Sequence, residues 1–278
     1  MEGWTDEAGG EALRHTVVLR DEDREVELSA VATISPGYEI REAWCRVVSG
    51  DVAPEVQRGV GQLAGARMVA GFTRRVAEAT GPGPDAAFIA DAAVEIARLA
   101  RQVNKVERQR AEHAIAAGAA ACWELDTAAW TDLPDSCFTY SAEGRARLAT
   151  TAVTTPMHVD LYSPRPGQRR IFERGKIARI AQTGDRLVLF HSMDDNVHGF
   201  EITYHVDRPS GRIVKVEHAT PRLPYAGICS EPQRKIQALL GETVDEGLRK
   251  RIGLLIGGSR GCAQLYDLTT DLLKLLAA

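Results

Sequence analysis

The sequence is poor in the features that most directly announce a function. Its five cysteines (Cys45, Cys122, Cys137, Cys229, Cys262) are odd in number, widely spaced and free of a CxxC pair, so neither a zinc framework nor a disulfide framework follows. There is no basic excess: the formal net charge is -4 and the pI about 6.0, which excludes the electropositive footprint of a nucleic-acid binder and the polybasic stripe of a membrane-surface protein. No apolar run approaches the roughly 18 residues of a spanning helix. The opening stretch MEGWTDEAGGEALRH has neither the basic start nor the apolar core of an export signal. No P-loop, nucleophile elbow or HExxH pattern occurs. These absences predict a cytoplasmic protein with no nucleic-acid partner, no membrane partner and no cofactor. What is present, 44% hydrophobic and 26% charged residues over 278 positions, is ordinary for a globular chain and leaves room for one large or two small domains.

The strongest internal signal is a repeat. At an offset of 176, residues 52–99 align without a gap on 228–275. Eleven positions are identical: Glu55/Glu231, Gln57/Gln233, Arg58/Arg234, Leu63/Leu239, Gly65/Gly241, Gly71/Gly247, Arg75/Arg251, Gly81/Gly257, Ala87/Ala263, Asp91/Asp267 and Leu99/Leu275. Composition alone gives roughly two to four such matches. The same offset continues upstream through His15/His191, Glu25/Glu201, Ala43/Ala219 and Arg46/Arg222. Self-similarity of this kind marks a structural unit used twice.

Each copy reads as strands followed by helices. RLVLFHSM (186–193), GFEITYHV (199–206) and RIVKVEHA (212–219) are β-branched or aromatic runs separated by turn residues, which predicts an antiparallel meander. MHVDLY (157–162) and the stretch 169–180 are two further candidate strands. The first copy offers only two recognisable strands, VELSAVATI and YEIREAWCRVV, joined at Ser35-Pro36-Gly37. The segments EVQRGVGQLAG and EPQRKIQALLG have helical spacing and end on glycine. A second and a third helix follow in each copy, and in the first copy the third predicts a long connecting helix through RLARQVNKVERQRAEHAIAAGAAACWEL. The expectation is an α+β fold, an internal duplication of an antiparallel meander followed by helices in a pseudo-twofold arrangement. A degenerate first copy spans 1–125 and a functional second copy spans 126–278.

The second copy resembles a bacterial family catalogued as Domain of Unknown Function family 2889. The resemblance rests on His191, Asp207 closing the next strand, Pro224-Tyr225 with Cys229 four residues after the tyrosine, and Gly257-Gly258-Ser259-Arg260-Gly261-Cys262 leading to Leu265 and Leu268. It covers roughly the last 95 residues. A histidine usually follows the Gly-Cys pair after one residue, where this chain has Gln264. Some proteins associated with the family act in bacterial breakdown of lignin-derived aromatic dimers, as lyases that release formaldehyde. The resemblance therefore implies a lyase acting on a small aromatic molecule.

The residues themselves point to histidine chemistry. Four of the seven histidines (His191, His198, His205, His218) fall within 28 residues. Strand alternation places Phe200, Ile202, Tyr204 and Val206 on one face of their strand and Glu201, Thr203 and His205 on the other, and groups Val214, Val216 and His218 on an apolar face. A positioned imidazole moves protons near neutral pH. His191 or His205 is the expected base, with Asp207 orienting it, or Asp160, Glu201 or Glu217 in its stead. His218, Arg222 and Tyr225 are the expected substrate contacts. Two alternatives stay open: a metal held by the histidines with Asp207 or Glu217, which the absence of any HxH or HxxxH pair disfavours, and a noncatalytic ligand-binding or assembly protein, a homodimer included, whose histidines are structural. The Gly257–Gly261 loop lacks the lysine of a P-loop and reads as a tight turn between helices.

Overall fold

A computed structural model describes residues 1–276. The chain divides into two compact units. The first comprises Met1–His113 with His158–Arg174, and the second comprises Ala114–Met157 with everything from Gly175 onward. The chain thus crosses between the units more than once. Among the described residues no helix is long and apolar enough to cross a membrane.

In the first unit four antiparallel strands, β1 (Glu2–Glu7), β2 (Ala12–Arg20), β3 (Glu25–Thr33) and β4 (Ile40–Ser49), lie in the order β4-β3-β2-β1. Helices α1 (Pro54–Gly61), α2 (Phe72–Thr80) and α3 (Pro84–Leu99) follow. Val26, Leu28, Ala30 and Ala32 alternate inward on β3 and are buried with Ile89, Ala93 and Ile96 of α3. Prolines occupy the first position of α1 and of α3, where a missing N–H costs nothing. The second unit repeats the plan. β5 (Phe172–Thr183, its start to Arg174 belonging to the first unit), β6 (Arg186–Asp195), β7 (Gly199–Asp207) and β8 (Arg212–Arg222) lie in the order β5-β6-β7-β8. Strands preceding helices in each unit make the fold α+β.

Four further helices separate the two halves of the plan: α4 (Arg108–Ala117), α5 (Ala119–Ala129), α6 (Ala142–Leu148) and α7 (Val159–Tyr162). The single long helix expected from Pro84 onward is therefore three helices, α3, α4 and α5. Gly118, at φ 97°, breaks α4 from α5, and the stretch before α4 leaves helical form because Asn104 and Val106 donate backbone N–H bonds to Leu161 and Tyr162. The run 157–162 is the helical turn α7 rather than a strand, with the His158 ring accepting from the Asp160 N–H at its start. The first unit has four strands rather than two.

The duplication extends to the backbone hydrogen bonds. After β8 come α8 (Ser230–Gln233), continued by a 3₁₀ turn over Arg234–Leu239, then α9 (Leu248–Ile256) and α10 (Ala263–Lys274). Moved by 176 residues, α2 falls on α9 at both ends. Gly65 and Gly241 both adopt left-handed φ, 82° and 87°, which a side chain resists. Their N–H groups donate to Ile40 and Ile213, each at 2.7 Å, and those isoleucines donate in turn to Ala66 and Glu242, each at 2.9 Å. Bulges fall at Val31/Ala32 in the first sheet and at His205/Val206 in the second.

These bonds and registers also correct the alignment. Thr33 pairs with Ala12 where Asp207 pairs with Arg186, so β2 and β3 correspond to β6 and β7 at an offset of 174, and Ile40 corresponds to Ile213 at 173. The turn before β8 is shorter than that before β4, and the connection from β8 to α8 is longer. His191 therefore stands where the first unit has Val17, not His15, and Tyr204 stands where it has Ala30.

In the first unit His15 is 1% exposed with Nδ1 3.0 Å from the Thr5 hydroxyl. Burial pushes its imidazole down to about 3. The folded state holds the neutral ring while the unfolded chain takes up a proton near its ordinary value, so this stability is complete above about pH 6.5 and is lost as pH falls toward 3. Thermal and denaturant melts should register a loss of about 2 kcal/mol between pH 7 and pH 5 that is absent in His15→Gln. Equal losses in both proteins would remove His15 as the cause.

Candidate functional site

The second unit's core holds a group of polar side chains on the inner face of its sheet, beneath α10. His191 on β6 is 3% exposed, and its Nδ1 lies 2.9 Å from the Leu268 carbonyl. A carbonyl only accepts, so Nδ1 carries the proton, and in the neutral ring the lone pair is on Nε2. The Tyr204 hydroxyl on β7 lies 2.8 Å from Thr269 Oγ1. Lys176 on β5, also buried, places Nζ 3.9 Å from Asp271, whose other oxygen meets Lys274 at 3.0 Å. Leu268, Thr269 and Asp271 belong to one turn of α10, and residues three apart on a helix lie about 5–6 Å from each other. Three strands thus send a lysine, an imidazole and a phenol to a single helical turn. Burial holds the Tyr204 phenol well above its ordinary range, against the smaller opposing effect of its bond to Thr269, so it stays protonated.

The first unit buries a different polar pair, His15 with Thr5, and has none of these groups at the equivalent positions. At the places of His191, Tyr204, Leu268 and Thr269 it has Val17, Ala30, Ala92 and Ala93. The acidic position and its cation persist: Glu95 corresponds to Asp271 and Arg98 to Lys274, again one turn apart. Glu95 also takes a buried cation from β5, with Arg174 Nη1 at 3.2 Å.

The residues singled out from the sequence are dispersed. His191 and His218 share the inner face, because both lie opposite Ile202 in the β6-β7-β8 ladder. Two strand spacings separate them, about 10 Å. Burial lowers the His218 imidazole. Val214 does not join His218 on that face. The bulge between His205 and Val206 turns it outward to 40% exposure.

His205 is on the opposite, solvent-facing side, where its Nε2 meets Glu217 at 2.9 Å. Asp207 caps the β7–β8 turn, accepting from the Ser210 N–H at 3.1 Å and from the Ser210 hydroxyl, bonds that lower its carboxyl. It orients no histidine. Arg222 braces the β6–β7 turn by donating to the Asp195 and His198 carbonyls, with Asp194 at 3.1 Å. Tyr225 is fully buried and donates its hydroxyl to Asp126, which also accepts from Tyr140 at 2.8 Å. No group of three histidine, cysteine, aspartate or glutamate side chains among the described residues has the geometry to hold a metal ion.

Lys176, Tyr204, Thr269 and Asp271 were not singled out by the sequence. A signal for Asp271 and its i+3 cation was nevertheless present, since both match Glu95 and Arg98 in charge at the repeat offset. A separate cleft of about 320 Å³ in the first unit is lined by Glu7, Lys105, Ser163 and two prolines. Its ionic groups already neutralise one another: Lys105 donates to Glu7 at 2.6 Å and holds that carboxyl down to about 2, with Gly167 and Gly9 N–H bonds adding to the effect.

These placements predict opposite outcomes for two substitutions. Tyr225→Phe should cost about 1 to 3 kcal/mol, because it removes a buried hydroxyl from Asp126. His205→Ala should fall within about 0.5 kcal/mol of the parent, since its ion pair is on an exposed face. Urea melts of both variants check this, and a reversed order would refute the assignment.

No curated protein and no solved structure matches the chain. Residues 181–277, a stretch that holds His191, Tyr204, Thr269 and Asp271 and begins just after Lys176, match a family model. The model is that of the family described as Protein of unknown function (DUF2889), and the match covers about a third of the chain.

Proposed function

We propose that the second unit is a cofactor-independent lyase that uses acid–base chemistry on a small aromatic molecule carrying a hydroxyl group. One observation carries this reading. The same framework is built twice, and where the first copy fills its core with Val17, Ala30 and Ala93, the second places His191, Tyr204 and Thr269. Apolar residues suffice for the fold at these positions. Polar groups there cost free energy unless every one is hydrogen-bonded, so their presence calls for a purpose other than folding.

The geometry supports the following roles. His191, with Nδ1–H fixed on the Leu268 carbonyl, offers Nε2 as the base. Tyr204, kept protonated by burial, is the acid. Lys176, beside Asp271, stabilises negative charge on the ring oxygen or the departing carbon, and His218 at the end of the inner row contacts the ring. The family resemblance directs the choice of bond. His191 takes the proton of a hydroxymethyl group, its C–O becomes C=O, and the adjacent C–C bond breaks to release formaldehyde. The electron pair remains on the former attachment carbon in conjugation with the ring, and Tyr204 protonates that carbon. No electrons leave the substrate, so no redox cofactor is required. His205 and Asp207 have no part in this reading.

The test is formaldehyde release from hydroxymethyl-bearing diaryl compounds by the full chain, with His191→Gln, Lys176→Met and Tyr204→Phe alongside. Turnover should fall about 10²-fold or more in His191→Gln and Tyr204→Phe. Tyr204→Phe, which takes one buried hydroxyl from Thr269, should lower stability by about 1 to 3 kcal/mol, as Tyr225→Phe does, so turnover is compared at a temperature where each variant is fully folded. Activity that falls only with the folded fraction would overturn the catalytic roles and leave these groups as structural ties, the noncatalytic alternative.

A further inference from the structure

Three of the five cysteines gather at one corner of the second unit. Cys137 precedes a 3₁₀ turn at Phe138–Tyr140, Cys229 is the cap residue before α8, and Cys262 is the cap residue before α10. The Phe138 N–H donates to the Gly261 carbonyl at 2.9 Å, so the peptide groups next to Cys137 and Cys262 lie against each other. With ordinary bond lengths on either side, this bond holds their Cα atoms within about 8 Å, a span that includes the separations of disulfides. Cys229 Sγ is 2.9 Å from the Thr139 hydroxyl. The first unit has Ala53 and Ala86 at the counterparts of Cys229 and Cys262, so the thiols, like the acid–base group, are confined to the second copy.

We propose that Cys137 and Cys262 form a redox-modification site that a peroxide closes to a disulfide, tying the segment before α6 to the start of α10. One thiolate attacks the peroxide, becomes a sulfenic acid and releases water. The second thiol attacks that sulfur and expels another water, so two thiols and one hydrogen peroxide give one disulfide and two waters. Cys229, enclosed and bonded to Thr139, stays a thiol. Burial raises both partners, Cys137 up to about 11, so closure is slow at neutral pH and quickens about tenfold per pH unit below that value. Because α10 carries Leu268, Thr269 and Asp271, the bond would anchor the helix over the polar group.

The readout is mass, independent of any activity. The full chain is treated with hydrogen peroxide at pH 8, denatured, alkylated and digested without reduction. A linked pair of peptides containing Cys137 and Cys262 is expected, with the other three cysteines alkylated and the link missing in Cys137→Ser and Cys262→Ser. Five alkylated cysteines, sulfinic acid at either partner without a link, a link to Cys229, or a link between chains would each overturn the proposal.

Discussion

In each unit the segment after the first helix returns to the start of the sheet's last strand, and two backbone hydrogen bonds hold it there, through Ile40 in one unit and Ile213 in the other. That return demands a left-handed turn, supplied by Gly65 and Gly241. It also sets where the next helix begins, and hence how the last helix, α3 or α10, crosses the inner face of its sheet. A sheet with one apolar face must cover it. The repeated backbone bonds ensure that the cover arrives in the same place twice.

Once the cover is fixed, the inner-face positions become equivalent between units and their side chains become comparable. The comparison separates what the architecture requires from what has been added to it. A carboxylate on the last helix, with a cation one turn on and another from β5, occurs in both: Glu95 with Arg98 and Arg174, and Asp271 with Lys274 and Lys176. Buried ion pairs of this kind are strongly destabilising to break, since removing one partner strands a charge. At the positions of His191, Tyr204 and Thr269 the first unit has apolar residues, its own buried imidazole, His15, standing two residues from the counterpart of His191, and the clustered cysteines are likewise confined to the second unit. Both the proposed chemistry and the proposed thiol site rest on that asymmetry.

The second unit's strands were legible because β6, β7 and β8 carry alternating or β-branched runs bounded by turn residues, and periodicity of two is a local property. β1 was not. Its sequence, EGWTDE, is acidic and lacks an alternating pattern, and it is a strand because β2 pairs along one edge while Gln168 and Ile171 bond to Glu7 and Thr5. The continuation of α3 as one long helix differs for the opposite reason: the composition is helical throughout, and the bonds from Asn104 and Val106 to Leu161 and Tyr162, with the left-handed Gly118, pull the chain out of helix.

The amino-acid sequence by itself determined the duplication, the α+β class and the likeness of residues 181–277 to a known family, because matched glycines, apolar positions and short motifs survive in a linear alignment. Tertiary structure decided which side chains meet. His205 and His218 are thirteen residues apart on adjacent strands, yet the pleat and the intervening bulge send one to solvent and the other inward. Lys176 and Asp271 are far apart in the chain and meet beneath α10. Register, bulges and helix placement are set by long-range packing and hydrogen bonding, which no local spacing of residues encodes.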